Sequence, residues 1–264
     1  MKTWNLVLIS VFLTSCISAS TEKYQTVMDS NTADKVDSII LTKVIPATGK
    51  SHGELISDVS STFLGTPYKD GTLIGSLDTP EELVVDFNDV DCYTLIDYVE
   101  ALTRSHDKKT FLQNLVRIRY IHGKVDYLSR RHFFTDWFAN VPYNARDVTP
   151  DISPDYVTVE KQLNRKADGS KYIPGLETIP RKIRYIPGSA INEKVLNNLK
   201  TGDYIGVYSP HEGLDVSHTG MVIRHDGKVW FRHASSLAVN MKVVDLPFLE
   251  YMSLKPGIVV LRAD

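Results

Sequence analysis

The sequence predicts an α+β protein with helices in its first half and an antiparallel sheet in its second half. Apolar residues repeat with helical spacing over residues 51–64 and again over residues 92–102. In the second half, the β-favouring runs Val222-Ile223 and Val229-Trp230-Phe231 flank Asp226-Gly227, a strong signal for a two-residue turn. Helices followed by antiparallel strands are typical of an α+β domain.

The N-terminal residues have the pattern of an exported lipoprotein. Lys2 supplies a positive charge, residues 4–13 form an apolar run too short to span a membrane, and Leu13-Thr-Ser-Cys16 follows. This tetrapeptide resembles a bacterial lipobox, in which the signal peptide is cut before the cysteine and the cysteine is lipidated. We therefore expect a signal peptide over residues 1–15 and a lipid on Cys16. An ordinary secretory signal cut near Ala19 is the alternative.

The remaining 249 of the 264 residues are expected to form a tether and one domain. Residues 16–35 are polar and predict a tether, and residues 36–264 are long enough for a single domain with an ample core. Ile17 replaces the aspartate that, in the enterobacterial sorting rule, retains a lipoprotein in the inner membrane. We expect a monomeric, periplasm-facing outer-membrane lipoprotein of a Gram-negative bacterium. The net charge of −2 gives no electrostatic reason for binding nucleic acid.

The helices are placed by apolar spacing and by the residues that start and stop them. Residues 51–64 end at Gly65-Thr-Pro67, a combination that stops a helix. Residues 88–91 offer capping side chains directly before Cys92, which therefore falls in the first turn of a core-facing helix. We expect further helices over residues 108–120, 129–139 and 191–199.

The strands follow a segment rich in prolines. Six prolines between residues 140 and 190 interrupt regular structure, so we expect loops with short strands there. After them, the expected strands are residues 204–208, the two arms of the hairpin at Asp226-Gly227, residues 239–244 and residues 258–261.

The hairpin brings two histidines to one face of the sheet. A two-residue turn at Asp226-Gly227 pairs residue 225 with residue 228, and the same register places Gly220 opposite His233. Because side chains alternate along a strand, His218 shares the face of Gly220, and His233 lies diagonally across from it within roughly 7 Å. His225 is an odd number of residues from His218 and is expected on the other face.

The chain has only two cysteines, and a lipid on Cys16 would leave Cys92 as a lone thiol in an exported, disulfide-permissive compartment. Such a thiol is either buried and inert or kept for its chemistry. At a helix start, the helix dipole favours the thiolate, and His218 as base with His233 as orienting residue would complete a nucleophilic site. The spacing also permits the reverse assignment of the histidines. A Cys16–Cys92 disulfide is possible only if the lipobox interpretation is wrong.

A zinc site is the competing hypothesis for the same segment. Five potential ligands are crowded there: His211, Asp215, His218, His225 and His233. The sequence contains no HExxH motif, and strand alternation turns His225 away from the other two hairpin histidines. We therefore expect neither a metal nor another cofactor.

Three blocks resemble the signature of NlpC/P60 cell-wall peptidases, papain-like enzymes with a Cys-His-His (or Asn, Gln) triad. They are Leu64-Gly-Thr-Pro-Tyr68, Asp91-Cys92 at a helix start, and the hairpin segments Ser217-His-Thr-Gly220 and Phe231-Arg-His-Ala-Ser235. The resemblance implies a papain-like fold, with the nucleophile at the start of a helix packed on a mostly antiparallel sheet that carries the histidines.

Within that superfamily, the chain is most similar over residues 50–262 to the DUF1460 branch, the N-acetylmuramoyl-L-alanine amidase-like proteins. Further blocks of this branch are Pro80-Glu-Glu-Leu-Val-Val85, Arg119-Tyr-Ile-His-Gly-Lys-Val-Asp-Tyr127, Ser129-Arg-Arg-His-Phe-Phe-Thr-Asp-Trp137 and Gly213-Leu-Asp-Val-Ser-His-Thr-Gly220. Two features depart from the usual pattern. Tyr93 follows the cysteine where serine is common, and the fifteen-residue spacing of the histidines is longer than typical.

The resemblance assigns roles to individual residues. Cys92 is expected as the nucleophile, His218 as the general base and His233 as the orienting residue, while the Tyr68 hydroxyl and the Cys92 N–H contact the substrate or its oxyanion. Asp91 and Ser217 are candidates for binding the stem peptide. A third group is expected to line the muropeptide pocket or else to pack as a structural helix: Arg130 (suited to a carboxylate), His132, Asp136 and Trp137.

The function implied by the resemblance is hydrolysis of peptidoglycan. The expected cut lies between the lactyl group of N-acetylmuramic acid and L-alanine, through an acyl-enzyme on Cys92, with muropeptides as substrates. One alternative is the γ-D-glutamyl-diaminopimelate endopeptidase cut of NlpC/P60 enzymes. Another is a non-catalytic lipoprotein that binds muropeptides.

Overall fold

The computed structural model describes residues 24–263 of the chain. The predicted signal peptide over residues 1–15, the lipidation site Cys16 and the first part of the tether lie outside this range. Within it, no helix is both long and apolar enough to cross a membrane.

The predicted helix starts in the first half are confirmed. Ser51 caps one helix together with Glu54, and Asp107 caps another by accepting from the backbone N–H of Thr110. The α-helices are α1 Ser30–Ile39, α2 His52–Ser61, α3 Cys92–Thr103, α4 Lys108–Arg119, α5 Asp136–Ala139, α6 Thr149–Ile152, α7 Glu193–Asn198 and α8 Phe248–Met252.

The expected helix over residues 129–139 is wrong for most of its length. Only α5 is helical, because the backbone before it pairs with the end of α4: Arg131 N–H donates to the Arg119 carbonyl over 2.8 Å, and Tyr120 bridges Arg130. The aromatic residues Phe133 and Phe134 give helical spacing, yet they are buried from an irregular segment. Long-range pairing outweighs the local pattern here.

The strands form one large antiparallel sheet and a small parallel pair. The large sheet has the order β4-β5-β10-β6-β7-β8-β9, and the small pair is β1-β2. Strand β5 pairs with the first residues of β10, and β3 pairs with its last residues. The strands are β1 Thr26–Met28, β2 Leu83–Val85, β3 Arg146–Asp147, β4 Val157–Leu163, β5 Ile179–Pro187, β6 Tyr204–Tyr208, β7 Val216–His225, β8 Lys228–Ser235, β9 Lys242–Pro247 and β10 Gly257–Arg262.

The second half of the predicted tether is part of the folded domain. Strand β1 pairs with β2, and α1 begins at Ser30, where Asp29 accepts from the backbone N–H of Thr32. Thr32 and Val36 are fully buried, and the Thr32 hydroxyl accepts from the backbone N–H of Phe87. Residues 16–35 are polar in composition, yet the start of α1 lies among them. The few buried residues on one side of α1 are enough to pack this helix against the domain.

The proline-rich segment contains longer strands than expected. Strands β4 and β5 pair over seven positions, from Val157 with Tyr185 to Leu163 with Ile179. Pro180 and Pro187 lie near the two ends of β5, where a missing backbone N–H interrupts the ladder least. The prolines therefore limit these strands without preventing them.

Both faces of the large sheet are covered. Helices α1 to α4 pack on the face that carries Met221 and Val259, and helices α6 to α8 pack on the face that carries Val222 and Phe231. Side chains alternate between these two faces along β7 and β8, so the position of each hairpin residue determines which face of the sheet it lies on. The α+β expectation is confirmed, and α3 and α8 lie on opposite sides of the sheet.

Candidate active site

Cys92 is the first residue of α3, as predicted. The Asp91 carboxylate accepts from the backbone N–H of Tyr93 over 2.8 Å and of Thr94 over 2.7 Å. This cap leaves the N–H of Cys92 itself available for a ligand. Asp91 is therefore a helix-capping residue that acts through Oδ1, and its expected role in binding the stem peptide stays a prediction.

The two histidines share one face of the sheet, as the hairpin register predicted. His225 pairs with Lys228 and Met221 with Arg232, which is the register set by the Asp226-Gly227 turn. The His218 Nε2 and His233 Nδ1 atoms are 2.6 Å apart, and the two rings are perpendicular. One imidazole therefore hydrogen-bonds the other.

Gly220 makes room for an aromatic ring beside this pair. A Cβ at position 220 would approach the Phe231 ring to 2.5 Å and the Arg232 carbonyl oxygen to 2.6 Å, closer than real Cβ contacts. The Phe231 ring in turn stacks on His233 at 4.6 Å between centroids. The Phe231 ring therefore occupies the space that Gly220 leaves, and its stacking helps to orient the His233 ring.

A cavity of about 110 Å³ brings Cys92 and His218 together. Ser217 and His132 line the same cavity. Thr219, on the opposite face of β7 from His218, donates its hydroxyl to the Cys92 carbonyl over 2.7 Å and holds the start of α3 against the strand. His233 is only 1% exposed and lies behind His218, away from solvent.

The free site holds its thiol and imidazoles uncharged. Burial, with the Asp91 carboxylate next, raises the pKa of the Cys92 thiol to about 11. Burial also lowers the pKa of His218 to about 4 and that of His233 to about 3, with the charge of Lys255 contributing to both. Desolvation of the charged forms thus opposes the thiolate that the helix dipole is expected to favour.

Tyr68 lies beside the nucleophile. Its backbone N–H donates to the Met241 carbonyl over 3.0 Å, and the residue bridges Val90, just before the start of α3. Burial, followed by the charges of Cys92 and Asp91, raises the pKa of the Tyr68 phenol. The phenol is thus a neutral hydrogen-bond donor at neutral pH.

The guanidinium of Arg130 is bound to other groups of the protein. It forms two 2.7 Å hydrogen bonds with the nearly buried Glu81 carboxylate and donates to the Ile74 carbonyl over 3.0 Å. Arg130 therefore anchors the loop before β2 and does not line the cavity shared by Cys92 and His218. Its expected role in the muropeptide pocket stays a prediction.

Asp136 and Trp137 also support the site from behind and do not line the cavity. Trp137 is fully buried, and the Asp136 carboxylate pairs with Arg181 over 2.9 Å while accepting from the backbone N–H of Phe133. The alternative, that residues 129–137 pack as a structural helix, is wrong, since only Asp136 and Trp137 at the end of this block are helical.

His132 is the candidate from this block that reaches the cavity. Its Nε2 is 2.8 Å from the Tyr127 carbonyl, and since a carbonyl only accepts, Nε2 carries the proton. Burial lowers the pKa of His132. The ring is therefore neutral, and Nδ1 is left as a hydrogen-bond acceptor.

Four residues near the reacting groups were not found from the sequence. Tyr93, the departure from the usual serine, donates its hydroxyl to the Phe133 carbonyl over 3.0 Å and so ties α3 to the cavity wall. Thr219 follows His218 in β7 and lies on the other face of the sheet, a position that strand periodicity could have predicted. Tyr251 and Lys255 come from the end of the chain and carry no local signal.

The zinc hypothesis finds no support in the geometry. Between residues 24 and 263, no group of three or more His, Cys, Asp or Glu side chains converges as a metal site. His225 stacks on Trp230 at 5.1 Å, on the other face from His218, as strand alternation predicted. Cys92 is a free thiol.

Comparisons with known proteins agree with the motifs. The family model described as AmiA-like, N-acetylmuramoyl-L-alanine amidase-like, matches residues 58–258. No curated protein matches the sequence.

Solved structures resemble most of the chain. A Legionella pneumophila protein of the DUF1460 family model is similar with a TM-score of 0.73 and 22% identity, covering 88% of this chain and 94% of its own. A Bacteroides uniformis N-acetylmuramoyl-L-alanine amidase is 32% identical with a TM-score of 0.68, covering 81% and 99%. A Bacteroides fragilis protein described as a candidate xylanase is 30% identical with a TM-score of 0.63, covering 77% and 98%.

Proposed function

The chain belongs to the AmiA-like, N-acetylmuramoyl-L-alanine amidase-like family, as its motifs predicted, and we propose that it is a cysteine-dependent peptidoglycan amidase of NlpC/P60 type. It hydrolyses the amide between the lactyl group of N-acetylmuramic acid and L-alanine in muropeptides. The observation that carries the proposal is the hydrogen-bonded pair of His218 and His233 beside a cavity shared with Cys92.

The positions of the protons follow from the geometry. For His218 to accept the thiol proton at Nδ1, its own proton must be on Nε2 and be donated to Nδ1 of His233. His233 then carries its proton on Nε2, a buried atom with no hydrogen-bond partner in the described chain. His218 lines the cavity and His233 does not, which supports His218 as the base and His233 as the residue that orients it.

Attack and proton transfer occur together, because the free site favours neutral groups. As the Cys92 sulfur bonds to the lactyl carbonyl carbon, His218 takes the thiol proton and then delivers it to the leaving nitrogen of L-alanine. The amide C–N bond breaks, and a thioester remains on Cys92. Water, activated by His218, hydrolyses the thioester and releases the lactyl carboxylate.

Two donors are placed to stabilise the oxyanion. The Cys92 N–H is outside the helix cap and lies at the positive end of α3. The neutral Tyr68 phenol, beside the nucleophile, is the second donor. The neutral His132 Nδ1 accepts a hydrogen bond from the substrate amide groups in the cavity.

The xylanase description of one relative is not supported by this site. Glycoside hydrolysis uses two carboxyl groups that flank the scissile bond. Asp215 is the one acidic residue that lines the described cavity, and its carboxylate accepts from the backbone N–H of Thr135 and Val216. Asp91, the next candidate, caps α3.

A digest of defined muropeptides tests the proposed bond. We expect the purified protein to release an intact stem peptide with a free N-terminal L-alanine, detected by mass spectrometry. Release of a fragment that begins with diaminopimelate would show the endopeptidase cut instead. Binding of muropeptide without any product would show a non-catalytic lipoprotein.

A further inference from the structure

A lysine lies close to the histidine pair on the side of the sheet covered by α8. The Lys255 Nζ is 4.3 Å from the centroid of the Tyr251 ring. That ring stacks on Phe231 at 5.4 Å and packs against His233 at 5.2 Å. Lys255 is thus connected to the histidines through one layer of aromatic side chains.

The charge of Lys255 is not neutralised by the protein. Within residues 24–263, Lys255 forms no ion pair with an Asp or Glu side chain, and stacking on Tyr251 is the one specific contact of its ammonium group. The other titratable groups that face this region are the two histidines, Tyr251 and, from the start of α3, Cys92 with Asp91 behind it.

An unpaired cation at this position opposes the proposed chemistry. After burial, the Lys255 charge is the next cause of the low pKa of His218, and that base must become a cation during attack. A half-buried lysine held against an aromatic ring also loses side-chain freedom without gaining an ion pair. An anion that binds beside Lys255 when the substrate arrives would offset the electrostatic cost and supply the missing ion pair.

We propose that Lys255, held in place by Tyr251, binds a carboxylate of the substrate's stem peptide. This inference rests on the proposed amidase function and names a specificity-determining residue for it. A lysine ammonium is a point charge with three donors, which suits a carboxylate. Tyr251 is half-buried, and the charge of Cys92 contributes to raising the pKa of its phenol, so Tyr251 lies within electrostatic range of the nucleophile.

Binding of the carboxylate also couples recognition to chemistry. The bound anion cancels the field of Lys255, which raises the pKa of His218 toward its ordinary value and makes it a stronger base. Stem peptides whose carboxyl groups are amidated lack this effect. The free-acid stem is therefore favoured both in binding and in the rate of attack.

Two muramyl tripeptides that differ only in having free or amidated stem carboxyl groups provide the test. For the wild-type protein we expect the KM of the free acid to be lower by about tenfold or more, the usual size of a charge-assisted hydrogen bond. Lys255→Met should raise the KM of the free acid to that of the amide and leave the KM of the amide unchanged. Lys255→Arg, which keeps the charge, should retain most of the discrimination.

A pH profile separates this role from a merely structural one. With the amidated substrate, kcat/KM reports the ionisation of the free enzyme. Loss of the Lys255 cation raises the pKa of His218, so the acidic limb of the profile should move to higher pH in Lys255→Met. Lys228→Met is the matched control, because Lys228 also stacks on an aromatic ring, at 6.0 Å from Trp230, but is exposed at the far end of the hairpin. Lys228→Met should leave the acidic limb of the kcat/KM profile at the wild-type pH.

Failure of this inference can be told from failure of the proposed function. Equal KM values for the two tripeptides in the wild-type protein, or a Lys255→Met profile identical to that of Lys228→Met, would overturn the role of Lys255 while the amidase remains. The wild-type comparison needs no variant and holds even if Lys255→Met folds poorly. If neither tripeptide loses its stem, the amidase proposal itself is wrong.

Discussion

Replacing Cys92 with alanine is expected to lower the rate of muropeptide hydrolysis by roughly 10⁴-fold or more, the loss typical of a deleted nucleophile. No other thiol lies in the described part of the chain, and neither the histidines nor Tyr68 can form the thioester in its place. The measurement is kcat/KM on the muropeptide that the wild-type protein cleaves best.

The variant is expected to fold normally. The contacts that hold the start of α3 use the Cys92 backbone: the Thr219 hydroxyl donates to its carbonyl, and Asp91 caps the next two N–H groups. An unchanged melting temperature and retained muropeptide binding therefore serve as controls. Turnover by Cys92→Ala at the wild-type rate would reject the thiol mechanism.

Replacing His218 is expected to cost more activity than replacing His233. His218→Ala removes the group that accepts and returns the proton, a loss of roughly 10² to 10⁴-fold for general acid–base catalysis. His233 acts through His218, so His233→Gln, whose carbonyl oxygen can still accept from His218 Nε2, should keep a substantial fraction of the rate. His233→Leu, which fills the buried position without an acceptor, should lose more than His233→Gln.

The order of these variants decides the roles of the two histidines. A lower rate of hydrolysis for His233→Gln than for His218→Ala would reverse the assignment and make His233 the base. Equal rates for His233→Gln and His233→Leu would show that the 2.6 Å contact only packs the sheet. Thermal unfolding of each variant checks that the comparison is between folded proteins.

Local rules predicted the parts of the site whose causes are local. The Asp226-Gly227 turn determines the hairpin register, and strand alternation then brings His218 and His233 together. Cys92 starts α3 because Asp91 caps it, a signal that lies within three residues. These inferences need only neighbouring residues and a fixed period.

The parts that were wrong depend on residues far apart in the sequence. The segment before α5 pairs with the end of α4 instead of continuing as a helix. Two features that bear on the site were also not foreseen: Glu81 engages the Arg130 guanidinium across 49 positions, and burial raises the pKa of the Cys92 thiol. Lys255 reaches the site only through the packing of α8.

The mass of the covalent intermediate tests the central claim most directly. A mixture of protein and muropeptide is quenched with acid during turnover, and the modified residue is identified by mass spectrometry. The proposed mechanism predicts a thioester on Cys92 that carries the N-acetylmuramoyl group alone, without alanine. An adduct that also contains alanine and glutamate, or one attached to another residue, would contradict it.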